Sequence, residues 1–129
     1  MDVFKTPGAF SWSELMTSDP GRAAEFYGAL FGWTIESMEM PGGTYRVAKL
    51  GDQAVAGMMA CPDPGSPQPP AWGCYVTVAD VDQALTKVAA LGGAVVMPAM
   101  DVPGVGRMAC IRDPQGATIN LICYAADMA

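Results

Sequence analysis

The stretch FSWSELMTSDPGRAAEFYGALFG, Phe10 to Gly32, changes its period halfway along. Phe10 to Thr17 alternates in the two-residue rhythm of a strand. Asp19-Pro20 then supplies a helix N-cap followed by proline at the first helical position. From there Ala23, Phe26, Tyr27 and Leu30 recur at helical spacing as one apolar face, and Gly32 ends the helix. Three short strand-like runs follow: Thr34–Met40, Thr44–Leu50 and Gln53–Ala60. Gly42-Gly43 and Gly51-Asp52 separate them as hairpin turns.

The same order is then written a second time. Trp72–Val78 reads as a strand and Asp80 as a helix cap, with Gln83 three residues on as in a capping box. The helix DQALTKVAAL presents Ala84, Leu85, Val88 and Leu91, and Gly92-Gly93 stops it. AVVMPAM, VGRMACI and ATINLICY supply three more strands, the last entered through the turn Asp113-Pro114-Gln115-Gly116. Gly32 and Gly92, the two helix-ending glycines, stand sixty residues apart, and an internal repeat of this kind outweighs any single motif. The expected fold class is α+β: two βαβββ modules whose curled mixed sheets enclose a central cleft, helices outside. Module one covers about 8–60 and module two about 72–125 of a single domain, 1–129. The linker Cys61–Ala71, with five prolines and one glycine, is neither helix nor inner strand.

Composition narrows the chemistry. No apolar run approaches the roughly 18–20 residues that span a bilayer, and the N-terminus has no signal-peptide pattern, so a cytoplasmic protein without a membrane partner is expected. Thirteen acids against seven scattered bases give a net charge of −6, which argues against nucleic acid as a partner. Cys61, Cys74, Cys110 and Cys123 form no CxxC pair; in such a compartment they are read as free thiols, Cys74, Cys110 and Cys123 as small hydrophobes in strands. A four-thiolate zinc site stays open as the less favoured reading. The chain has no histidine, which removes the commonest general base and nitrogen ligand and excludes Ser-His-Asp and Cys-His nucleophilic sites.

The segments Asp19–Trp33, Val78–Gly93 and Arg112–Leu121, in this strand order, resemble the vicinal-oxygen-chelate superfamily of glyoxalases, bleomycin-resistance proteins and extradiol dioxygenases. The likeness runs from about Phe10 to Tyr124 and is greatest to compact actinobacterial-type glyoxalase-like members. It implies metal ligands on the first and fourth strands of each module, at positions occupied here by Trp12, Gly57, Gly73 and Asn120. A glycine offers no side-chain donor, and one neutral amide does not hold a divalent cation against water. No metal and no cofactor are therefore expected.

Strand alternation gives the expected cleft face: Phe10, Trp12, Glu14 and Met16; Val55, Gly57 and Met59; Gly73, Tyr75 and Thr77; Thr118, Asn120, Ile122 and Tyr124. From it Trp12, Glu14, Met16, Gly57, Met59, Gly73, Tyr75, Asn120 and Ile122 are the candidate ligand contacts, large aromatics beside glycines making a shaped apolar space. Trp12 is either a stacking platform or a plug. Glu14 is either a general base, an anchor for a ligand amine or a rim residue. The expected function is metal-independent binding of a small organic molecule, an antibiotic or metabolite. The alternative is a glyoxalase-like lyase, isomerase or oxygenase with Glu14 as catalytic base and Asn120 or Tyr75 as hydrogen-bond donor. The resemblance also implies a homodimer.

Overall fold

The computed structural model describes residues 1–40, 43–61 and 69–125. The element order is β1 (Phe10–Thr17), α1 (Pro20–Phe31), β2 (Thr34–Met40), β3 (Gly43–Leu50), β4 (Gln53–Ala60), β5 (Ala71–Thr77), α2 (Val81–Val88), β6 (Ala94–Val102), β7 (Gly106–Arg112) and β8 (Thr118–Tyr124). The fold is α+β, and βαβββ occurs twice. Most of the expected linker, 62–68, and the turn residue Gly42 lie outside the described residues. The chain forms two compact units: Trp12–Gly73, and Met1–Ser11 together with the chain from Cys74 onward.

Trp12–Gly73 holds β2-β3-β4-β1 as neighbouring strands. β2–β3 and β3–β4 are antiparallel, whereas β1 runs parallel to β4 with Glu14 opposite Gly57 and Met16 opposite Met59. A parallel pair needs a crossover connection, and α1 begins it. Asp19 caps the helix by accepting the Arg22 amide at 3.1 Å. Gly32 closes it at φ 76°, a left-handed conformation that glycine adopts without penalty. The core is a small-residue seam of Leu15, Ala24, Ala48, Ala56 and Met58, with Ala23, Tyr27, Trp33, Ile35 and Val55 packed against it.

This seam corrects two sequence expectations. Ala24 is the buried residue of α1, and Phe26 and Leu30 are 61% and 60% exposed. At about 100° per residue they lie roughly 160° and 120° round the helix from Ala24, and the small residues beneath let the backbone approach only on Ala24's side. Val55, expected on the cleft face, packs against the core cluster.

The other unit repeats the plan with β5-β8-β7-β6. β5 is parallel to β8, and β8–β7 and β7–β6 are antiparallel. Asp80 caps α2 by accepting the Gln83 amide at 3.1 Å. Val81 and Val88 of α2 are buried, as are Ala109 and Leu121, which face each other across the β7–β8 ladder. The helix stops at Val88, where the amides of Leu91 and Gly93 both turn back to its carbonyl. Leu91 therefore lies beyond the helix and is 75% exposed, against expectation. The Asp113–Gly116 turn forms as read, with the Gly116 amide 3.0 Å from the Asp113 carbonyl. Pro98 sits in β6 where the pairing with β7 shifts register, since proline has no amide to donate to a regular ladder. Met1–Ser11 belongs to this unit: the Gly8 amide donates to the Thr77 carbonyl and the Thr77 amide to the Ala9 carbonyl, at 2.8 and 2.9 Å.

Candidate functional site

Parallel pairing of β1 with β4 puts Trp12, Glu14, Met16, Gly57 and Met59 on one sheet face, opposite the face that carries Leu15 and Met58. Val47 of β3 stands opposite Gly57, so Tyr45, two residues along, shares that face one position diagonally away. Its ring lies across Gly57, and a β-carbon at residue 57 would collide with its hydroxyl. That collision is the local reason for a glycine in the middle of β4.

The tyrosine hydroxyl joins the two candidate residues of β1. Trp12 Nε1 donates to Tyr45 Oη at 3.0 Å, and Tyr45 Oη donates to Glu14 Oε2 at 2.8 Å. Glu14 is buried, at 8% exposure. Trp12 is half-buried, so its indole is held by its N–H with part of the ring accessible. The arrangement presents an aromatic face, a phenol and a carboxylate within one hydrogen-bonded chain. Tyr45 is the residue the sequence reading missed. Alternation on β3 was the available signal, because it places Tyr45 and Val47 on one face, and a mid-strand glycine marks a close approach.

The remaining candidates lie on β5 and β8; Gly73, on β5, belongs to the unit Trp12–Gly73, and the others to the second unit. Tyr75 stands opposite Asn120, and Thr77 opposite Ile122. Tyr75 and Ile122 are buried. The Asn120 amide reaches the Cys74 carbonyl at 3.4 Å, and Tyr75 Oη lies 3.9 Å from Met108 Sδ. Farther along this face Ser11, Thr77 and Tyr124 form a hydroxyl chain, with Ser11 Oγ 2.8 Å from Tyr124 Oη and 2.9 Å from Thr77 Oγ1. The N-terminal segment covers that end: Thr77 Oγ1 donates to the Val3 carbonyl at 2.7 Å, and the Phe4 ring meets Tyr124 edge-on at 5.0 Å. Burial raises the Tyr124 phenol above its ordinary pKa, with the Ser11 hydrogen bond partly opposing. Burial likewise raises the Cys110 thiol, against the nearby charge of Arg112. Cys74, expected as a small hydrophobe in a strand, lies on β5 and is exposed.

The donor set does not fit a resident divalent cation. The resemblance puts Trp12, Gly57, Gly73 and Asn120 at the ligand positions, and the space above Gly57 is filled by a phenol that already accepts from an indole. Among the described residues, no three histidine, cysteine, aspartate or glutamate side chains are grouped as a metal would need. No helix among them is long and apolar enough to cross a membrane.

A family profile described as Glyoxalase/Bleomycin resistance protein/Dioxygenase superfamily matches residues 9–121. A Mycobacterium tuberculosis protein carrying the provisional name glyoxylase CFP32 is 43% identical over 118 residues, 88% of this chain and 45% of its own. The anthracycline biosynthesis protein DnrV of Streptomyces peucetius is 37% identical over 124 residues, 86% of this chain and 45% of its own. The chain thus spans about half the length of these curated relatives. Among solved structures, methylmalonyl-CoA epimerase from Mycobacterium tuberculosis superposes with a TM-score of 0.69 at 20% identity, over 94% of this chain and 90% of that one. A homoprotocatechuate 2,3-dioxygenase variant from B. fuscum does so with a TM-score of 0.64 at 16% identity, over 93% of this chain and 33% of that one. At these identities the structural likeness shows the fold alone. Profile and relatives together show that the chain belongs to the glyoxalase/bleomycin resistance protein/dioxygenase superfamily.

Proposed function

We propose that the chain binds a small organic molecule, without a metal, on the sheet face that carries Trp12. The observation that carries this reading is the Trp12–Tyr45–Glu14 hydrogen-bonded chain over Gly57. It fills a position where the resemblance implies a ligand to metal with groups suited to an aromatic, hydrogen-bonding guest. Trp12 supplies a ring to stack on and Tyr45 holds its orientation. Met16 and Met59, opposite each other, add adaptable thioether surface. Gly73 belongs to the same proposed set, and Tyr75, Asn120 and Ile122 are proposed as ligand contacts of the other unit, taken by itself. A relative named for anthracycline biosynthesis supports an aromatic guest. Two copies of the chain are proposed to pair.

Isothermal titration with an anthracycline and with bleomycin tests the binding reading. Trp12→Ala is expected to weaken the affinity by roughly 1–3 kcal/mol through lost stacking and burial. An affinity unchanged by that substitution removes Trp12 from the site. Stoichiometric nickel, zinc or iron in the purified protein overturns the metal-independent part.

A second reading is favoured by the 2.8 Å contact between Tyr45 and Glu14. A carboxylate and a phenol in contact can pass a proton, so the same face would serve a lyase or isomerase with Glu14 as base and Tyr45 as its hydrogen-bonded partner. Turnover that survives Glu14→Gln excludes this role.

A further inference from the structure

The two helices of the repeat offer an internal comparison. Each covers its own sheet with one stripe, and an ordinary surface helix is polar on the other side. The exposed positions of α2 follow that rule with Asp82, Gln83, Thr86 and Lys87. Those of α1 do not: Phe26 and Leu30 stand on its outer side at 61% and 60% exposure, and Phe31 follows at 54%. Phe26 meets Tyr27 edge-on at 5.1 Å, and Tyr27 meets Trp72, itself 38% exposed, at 5.3 Å. The patch is therefore continuous across α1 and the start of β5. Packing within the fold does not require it, since α2 caps an equivalent sheet with a polar back.

We infer that the exposed apolar side of α1, running from Phe26 and Leu30 round to Phe31 and Trp72, is the surface on which a second copy of the chain docks. The inference rests on the pairing proposed above and locates it. Area is the first argument. Aromatic side chains carry about 150–250 Å² each, so the exposed parts of Phe26, Phe31 and Trp72 with Leu30 amount to on the order of 400 Å² per copy. A two-fold pairing sets the same patch against itself and doubles that to roughly 800 Å². With Arg22, Glu25 and Ala29 as rim, the total reaches the approximately 1,000 Å² that a specific interface needs. Charge is the second argument. A net charge of −6, with Arg22 and Arg46 as the arginines beside the first turn of α1, disfavours an anionic bilayer as the occupant.

Sedimentation velocity on the full chain over a wide concentration range tests this, with Phe26→Glu, Leu30→Glu and, as a control on the other unit, Leu91→Glu. The expected result is a wild-type dimer, a dissociation constant raised about thirty-fold or more by either α1 substitution, and no change with Leu91→Glu. Phe26→Ser replaces the charged variant if that one melts lower than wild type. A dimer that persists in both α1 variants overturns the assigned surface and leaves the pairing. A wild-type chain that stays monomeric throughout overturns the pairing itself. A monomer that floats with phosphatidylcholine vesicles through Phe26 assigns the patch to a membrane and overturns the inference.

Discussion

Tyr45 lies over Gly57 so closely that its hydroxyl occupies the space a β-carbon there would fill. From that position it accepts from Trp12 and donates to Glu14, linking β3 to β1 across β4.

Gly57→Ala should therefore act through Tyr45. The added methyl expels the hydroxyl, and both hydrogen bonds go with it. A loss of about 1–3 kcal/mol in urea unfolding is expected, the cost of leaving partly buried polar groups unsatisfied. Tyr45→Phe should lose a similar amount. In a Tyr45→Ala background the cost of Gly57→Ala should fall to near zero, because the collision has gone. Additive costs in that double-mutant cycle would show that Gly57 is needed for something other than Tyr45.

Met58, fully buried opposite Leu15, anchors the small-residue seam beneath α1. Met58→Ala should cost about 2–5 kcal/mol, since the rigid alanine neighbours cannot collapse into the cavity. The check is the denaturation midpoint at unchanged m-value.

The acid limb of stability should report Asp82. Its carboxylate receives hydrogen bonds from Arg107 Nε and Nη2 at 2.9 and 3.0 Å, and these hold it below the ordinary 3.8. A depressed folded-state value means that the contribution is present above 3.8 and is lost as pH falls through the lower, folded value. Asp82→Asn should flatten that part of the stability profile, and added salt should shrink the difference because the pair is solvent-exposed. Identical acid limbs in the two proteins would rule out this contribution.

Tyr124 should contribute to the alkaline limb with the opposite sign. Its phenol is raised above the ordinary 10.0 in the folded state, so its contribution is complete below 10.0 and is lost as pH rises through the folded value. Ultraviolet titration should show Tyr124 ionising above the ordinary value, and Tyr124→Phe should remove that component. An unchanged titration curve would assign that component to another group.

Much of the fold was legible in the chain because its signals are local. The Asp19 and Asp80 caps, the Gly32 stop and the period-two runs each act within a few residues, and the observed elements follow them closely. Alternation also told that Trp12 and Glu14 share a face of β1, and the resemblance set Gly57 of β4 beside them before any pairing was known. Three things depended on tertiary structure. The register that carries Tyr45 across Gly57 is set by β3–β4 pairing, which a single strand does not encode. The outward turn of Phe26 and Leu30 depends on which side of α1 the Leu15–Met58 seam admits, and both the Ala24 and the Phe26 stripes are apolar in sequence. The covering of Thr77 and Tyr124 by Val3 and Phe4 joins residues more than seventy positions apart. Period tells which side chains point together; only the packed chain decides what comes to rest against them.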